Sequence, residues 1–194
     1  FIVIIINQGL KKYGGDLAIG AFGIVNRLVF IVVMIVMGLN QGMQPIAGYN
    51  FGAKLYGRVN KVLRLTIIYA TAVTTFGFLV GMLVPDLVVG IFTSDAELTE
   101  LSVTGLRITV MFFPIIGFQM VTSNFFQSIG MAGKAIFLSL TRQMLILLPC
   151  LLVLPQFFGV AGVWYSMPVS DLLASLIALV MLVCQFRKFR TSPL

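Results

Sequence analysis

The residues of this sequence that could do chemistry are polar groups set inside long apolar runs. Asp171 lies about ten residues into the last run and is the only acidic residue after Glu100. Because a charge is costly in hydrocarbon, an ionisable residue in such a run is a candidate functional group. Asp171 could bind a proton or a cation. The alternatives are a structural ion pair and a hydrogen bond to backbone freed by Pro168.

Arg27 is the second charged candidate, because it lies midway along an apolar run and needs an anion or carbonyl groups around it. It could form a structural pair, with Asp171 as one partner, or contact a substrate directly. Arg107 and Arg142 lie nearer the ends of their segments, from which long side chains can reach the membrane interface. We therefore predict a buried pair or an ion-coupling site that involves Asp171 and Arg27.

A stripe of polar residues follows, in which Gln119, Ser123 and Gln127 recur every four residues with Phe126 beside them. This spacing places them on one face of a helix, and Pro114 predicts a bend before that face. A polar stripe edged by aromatic rings could line a substrate cavity for lipophilic cations. The alternative is that these residues hold neighbouring helices together.

The composition places all of these groups in a membrane protein. Hydrophobic residues make up 59% of the chain, charged residues 10%, and the mean hydropathy is +1.07, whereas soluble domains have about 25% charged residues. We predict an all-α polytopic membrane bundle of about six transmembrane helices, the first truncated. The predicted spans are residues 1–10, 17–39, 62–84, 98–122, 135–154 and 161–185, with Pro85 and Pro155 ending the third and the fifth.

The junction between the second and third predicted helices changes abruptly from uncharged to cationic. Residues 28–53 carry no charge, and cations then follow at helical spacing. Several glycines, together with Pro45, predict that the second helix ends here in a glycine-rich turn. The cations are Lys54, Arg58, Lys61 and Arg64. The residues predicted to form a cytoplasmic junction are Pro45, Gly48, Tyr49 and Asn50.

The distribution of Lys and Arg predicts the topology. Loops on one side carry nine of them, the opposite loops carry Lys11 and Lys12, and the 85–100 loop is acidic. Positively charged loops face the cytoplasm, so we predict a multi-pass protein of the plasma (bacterial inner) membrane with a cytoplasmic C-terminus. The nine are Lys54, Arg58, Lys61, Arg64, Lys134, Arg142, Arg187, Lys188 and Arg190.

Several functional classes are disfavoured. The chain has no His, its two cysteines lie in apolar segments, and no nucleophile–base set or phosphate-binding loop is present. We therefore predict no enzyme activity, no metal site and no cofactor. The cations are sparse and lie mainly at the ends of apolar runs, which fits contact with the lipid bilayer rather than with nucleic acid.

Four motifs resemble the multidrug and toxic compound extrusion (MATE) family. The stretch from Gly38 to Lys54 resembles the junction after that family's eighth helix. Ile91-Phe92-Thr93-Ser94-Asp95 resembles its outer loop, and Phe126-Gln127-Ser128-Ile129-Gly130 resembles its tenth-helix exit. The segment from Gly162 to Asp171 resembles its last helix. The order and spacing of the four match, so the resemblance covers essentially the whole chain.

The resemblance implies that residues 1–194 form the C-terminal lobe, from the seventh to the twelfth helix, with an N-terminal lobe of the same chain as partner. It implies a secondary active antiporter that exports organic cations, drugs or toxic metabolites in exchange for H⁺ or Na⁺ by alternating access. Some branches place a coupling carboxylate in the seventh or tenth helix, but residues 101–170 here contain no Asp or Glu. Coupling would then depend on Asp171 or on the N-terminal lobe.

Two alternatives stay open from the sequence. A lipid-linked oligosaccharide flippase shares the general architecture but needs several cations for a pyrophosphate, for which Arg27 and Arg107 are the candidates. A non-transporting half-size membrane protein would have the same composition without a transport cavity.

Overall fold

The computed structural model describes the backbone of residues 2–191 and the side chains of residues 2–187. Within this range the chain is built from helices, which confirms the predicted all-α membrane bundle. The predicted first span begins at Phe1, and the cationic C-terminus includes Lys188 and Arg190; these three lie outside the described side chains. The helices are α1 (Ile2–Gly52), α2 (Tyr56–Leu83), α3 (Pro85–Gly90), α4 (Ala96–Val110), α5 (Phe113–Ser128), α6 (Ala132–Leu140), a π-helical turn (Thr141–Leu147), α7 (Leu148–Phe158) and α8 (Val160–Thr191).

Helix α1 consists of two arms that meet at Gly15. The backbone there has φ 68° and ψ −162°, a conformation that glycine adopts readily and other residues do not. A straight helix would separate Ile2 from Val33 by about 46 Å, yet both line the same cavity. The short arm (residues 2–14) therefore folds back along the long arm (residues 16–52), as expected for the end of one span followed by a second span.

The long arm does not end near residue 39, so the predicted glycine-rich turn is wrong. Helix continues through Pro45 to Gly52, because packed neighbours can compensate for the backbone hydrogen bond that proline removes in a membrane helix. The side chain of Gln44 donates a hydrogen bond to Asn124 Oδ1 of α5 at 3.1 Å. A Cβ on Gly48 would lie 2.9 Å from the Ser128 carbonyl oxygen, so this glycine permits close helix packing rather than a turn.

Helices α4 and α5 follow each other closely and meet at a bend of 54°. The predicted bend before the polar stripe is confirmed, because Pro114 lies in the first turn of α5. The start of α4 is capped by Asp95, whose carboxylate accepts a hydrogen bond of 2.8 Å from the Leu98 amide. The predicted single helix over 98–122 is thus two helices that continue to Ser128.

The next span combines α6, the π-helical turn and α7 into one helix, Ala132–Phe158. The prediction that Pro155 ends it is wrong, because the helix ends at Gly159, where φ is 57°. A positive φ suits glycine and terminates a helix. Helix α8 then returns alongside α7, and Gly162 packs directly against the backbone of Leu154 and Pro155.

The helices bury two apolar clusters and expose many large apolar side chains. One cluster contains Phe22, Val110 and Trp164, and the other contains Leu63 and Phe125. By length and composition, four described helices could cross a membrane, or five if the bent pair is one span. The outward-facing apolar side chains are what a lipid-facing surface requires.

Candidate functional site

The candidate site is a cavity of about 480 Å³ between both arms of α1, the α4–α5 pair, the π-helical turn and α8. Its volume lies within the range of about 300–1,000 Å³ that is typical of small-molecule sites. Its walls are mainly apolar and include Phe22, Phe113, Met144 and Met167. The polar lining residues are Asn26, Thr109, Arg142, Gln143, Ser170 and Asp171.

An ion pair forms the polar end of this cavity. Arg142 Nε donates a hydrogen bond to Asp171 Oδ1 at 2.8 Å, the length expected of a charge-assisted bond. The exposed fraction of the side-chain surface is 9% for Asp171 and 32% for Arg142. A carboxylate so deeply buried requires a counter-charge, and Arg142 supplies it.

The π-helical turn positions Arg142. Thr141–Leu147 is wound more widely than an α-helix, and Pro149 follows two residues after the end of this turn. A proline ring clashes with the carbonyl four residues earlier, here that of Leu145, and the wider winding relieves this clash. Single π-helical turns occur frequently at functional sites in proteins. The turn thus brings Arg142 and Gln143, in the middle of an apolar span, to the cavity wall.

Helix α8 positions Asp171 one turn after Pro168. Ser175 Oγ donates a 2.6 Å hydrogen bond to the Asp171 carbonyl oxygen, which fixes the next turn. On the preceding turns, Trp164 is buried against Phe22, with ring centroids 5.9 Å apart. A Cβ on Gly105 would lie 2.6 Å from the indole ring, so this glycine provides the space that lets α8 approach α4.

The structure corrects the expected partner of Asp171. Arg27 is exposed and does not line the cavity, whereas Arg142, which was expected to reach the membrane interface, pairs with Asp171. Helical periodicity could not reveal this, because the pair joins residues 29 apart on two helices. The available signal was Arg142-Gln143, a polar dipeptide inside an apolar run shortly before Pro149.

The polar stripe of α5 lies apart from this cavity. Gln119 and Phe126 are buried, Ser123 is half-buried and Gln127 is exposed, and none of the four lines the cavity that contains Asp171. The ring of Phe126 instead lies 5.2 Å from Lys134 Nζ, which also contacts Gln185 of α8. A role of these residues in substrate binding stays a prediction.

The predicted cytoplasmic junction lies at the end of the long arm rather than in a turn. Tyr49 is exposed, while Asn50 is buried and donates a 2.8 Å hydrogen bond to the Ile46 carbonyl. The cations after it, from Lys54 to Arg64, are exposed. This end of the bundle therefore carries a basic surface next to an exposed aromatic residue.

The arrangement can hold one small cation or proton on a buried carboxylate, with apolar walls for an amphiphilic ligand. Across the described part of the chain, His, Cys, Asp and Glu side chains form no group of three that could hold a metal ion. An ionisable pair within membrane-spanning helices is by default a functional site, so Arg142 and Asp171 form the centre of the candidate site.

Comparison with known proteins identifies the family. The MatE family model matches residues 1–152, so the chain belongs to the MatE family. The chain is 28% identical over 179 residues to the multidrug export protein MepA of Staphylococcus aureus (strain MSSA476), a match that covers 92% of this chain and 39% of that protein. It is 24% identical over 176 residues to MepA of Staphylococcus saprophyticus, where the match covers 91% and 38%. The chain spans about two fifths of the length of these relatives.

Solved structures show the same fold. The MATE multidrug transporter DinF-BH, solved in complex with a ligand, is 37% identical and superposes with a TM-score of 0.82 over 94% of this chain and 41% of that one. A MATE transporter in an outward-facing conformation is 18% identical, with a TM-score of 0.90 over 98% of this chain and 43% of that one. At that identity the likeness concerns the fold alone.

Proposed function

We propose that this chain is the C-terminal lobe of a secondary active antiporter that exports organic cations, drugs or toxic metabolites in exchange for H⁺ or Na⁺. The observation that carries the proposal is the Arg142–Asp171 pair at the wall of the cavity between the helices. A charge pair is expensive within a membrane span and is retained there mostly for ion or substrate movement. The partner in this proposal is an N-terminal lobe of the same chain.

The substrate class is supported by the relatives' own descriptions. MepA is named a multidrug export protein, and DinF-BH is named a multidrug transporter. The apolar and aromatic walls of the cavity in this chain offer a suitable surface to a lipophilic cation. Asp171 is the coupling carboxylate in our proposal, since it can bind either the coupling ion or the cationic group of a substrate.

Alternating access is supported by the fold. The chain resembles an outward-facing MATE structure with a TM-score of 0.90 and an inward-facing one with a TM-score of 0.88. One internal packing is thus compatible with both states, as rigid-body rocking of a lobe requires. We propose that the lobe rocks on the junction at Pro45, Gly48, Tyr49 and Asn50. We also propose that the basic surface and the C-terminus face the cytoplasm.

The test replaces Asp171 by asparagine, which keeps the shape of the side chain and removes its charge. The protein is expressed from its complete coding region in a drug-sensitive bacterial strain. We expect the Asp171→Asn variant to reach the membrane at the normal level but to lose drug resistance. The matched control is Asp86→Asn, which removes one charge from an exposed position on α3. Unchanged resistance in Asp171→Asn at equal expression would contradict the assigned role.

A further inference from the structure

The ion pair in the cavity is asymmetric in two respects. Asp171 is almost fully buried, whereas nearly a third of the Arg142 side chain is exposed. The two residues share one hydrogen bond, from Nε to Oδ1, rather than the two parallel bonds of a bidentate arginine–carboxylate pair. If this pair separates, Arg142 is the member with open space beside it, while Asp171 stays inside the protein.

Arg142 projects from backbone that departs from the regular α-helix. It is the second residue of the π-helical turn, and such turns occur frequently at functional sites. Ser175 Oγ bonds to the backbone carbonyl of Asp171 within α8, and the Asp171 side chain is buried. The guanidinium is the more exposed member of the pair, so it is the partner with room to move.

A cation that enters the cavity meets Asp171 with its counter-charge already in place. Among the described residues that line the cavity, Arg142 and Asp171 are the charged ones; Arg27 and Arg107 are exposed and lie outside its lining. A monovalent cation can bind the carboxylate only by displacing the guanidinium, because two cations on one buried carboxylate would leave a net charge in a low-dielectric site.

We propose that Arg142 is a positioning residue that acts as an internal competitor. Its guanidinium pairs with the Asp171 carboxylate between transport events. A lipophilic monovalent cation displaces the guanidinium toward the exposed end of the cavity. This inference rests on the proposed function and adds a specificity-determining residue to it. When neither the cation nor the coupling ion is bound, Arg142 returns to the carboxylate, so the site does not remain charged and empty.

Whether the Arg142→Gln variant binds a lipophilic cation more tightly or more weakly distinguishes competition by Arg142 from a structural role. Tetraphenylphosphonium binding is measured by equilibrium dialysis on the purified protein from the complete coding region. We expect Arg142→Gln to bind it about tenfold more tightly, within the usual range of coupling between sites, and Asp171→Asn to bind it more weakly. Arg142→Lys keeps the competing charge and should stay near the unmodified affinity. A structural role predicts weaker binding in Arg142→Gln, and unchanged or weaker binding by the folded variant would overturn the inference.

A second measurement requires no variant. The arginine reagent phenylglyoxal is applied with and without tetraphenylphosphonium, and each modified arginine is quantified by peptide mass spectrometry. We expect the cation to accelerate modification of Arg142 and to leave Arg64, which is exposed at the basic surface, unchanged. Protection of Arg142, or no change in its rate, would overturn the displacement. Absence of both binding and transport by the unmodified protein would instead contradict the proposed function.

Discussion

Replacing Gly117 by alanine is expected to push α2 and α5 apart. A Cβ at this position would lie 2.7 Å from the Ala70 carbonyl oxygen and 2.8 Å from Thr74 Oγ1. The Thr74 hydroxyl itself donates to that same carbonyl at 3.0 Å, so neither atom can move independently. To restore an ordinary contact of about 3.4 Å, the helices must separate by about 0.7 Å.

The expected net effect is a loss of stability. Overpacking against a fixed backbone costs about 1–3 kcal/mol, and alanine regains up to about 1 kcal/mol over glycine in a helix interior. With the full gain from alanine, Gly117→Ala lowers the free energy of unfolding by up to about 2 kcal/mol. For a chain of this size, that corresponds to a decrease in Tm of up to roughly 4–8 °C.

Thermal unfolding in detergent, monitored by the fluorescence of Trp164, measures this effect. The matched control is Gly23→Ala, because Gly23 is also inside a helix but a Cβ there would meet no neighbouring atom within 4 Å. The control should leave Tm unchanged or raise it slightly. Equal Tm values for the two variants would refute the explanation that Gly117 allows close packing of α2 and α5.

Two further substitutions test other contacts. Gly105→Ala should displace the indole of Trp164, the only tryptophan of the chain, and shift its fluorescence emission; an unchanged spectrum would contradict the tight contact. Asn40→Leu should raise stability by about 1–3 kcal/mol, because Asn40 is buried and neither of its side-chain polar atoms has a hydrogen-bond partner among the described residues. A lower Tm would contradict this expectation.

The membrane fold could be predicted because its signals are local. Long apolar runs interrupted by Gly15 and by the acidic 85–100 loop are enough to define spans, and Pro114 correctly indicated the bend between α4 and α5. The predictions at Pro45 and Pro155 were wrong for one physical reason: inside a membrane bundle, leaving the helix exposes several backbone groups to lipid, whereas continuing through a proline loses one hydrogen bond.

The candidate site was harder to predict because it is formed by tertiary contacts. Asp171 could be singled out from its charge and position, but its partner could not, since helical periodicity says nothing about which helices are neighbours. The π-helical turn also changes the direction in which the Arg142 side chain projects, compared with a regular α-helix. The α5 stripe shows the same limit. Its spacing predicts that Gln119, Ser123 and Gln127 share one helix face, but it could not indicate which cavity, if any, that face would meet.

In our proposal, Asp171 couples an ion gradient to the export of a cation. The most direct test reconstitutes the protein from the complete coding region into liposomes and imposes a proton or a Na⁺ gradient across the membrane. We predict that one of these gradients drives tetraphenylphosphonium movement in the opposite direction, and that Asp171→Asn reduces this movement at least about fivefold. Gradient-driven transport of equal rate in Asp171→Asn would contradict the claim.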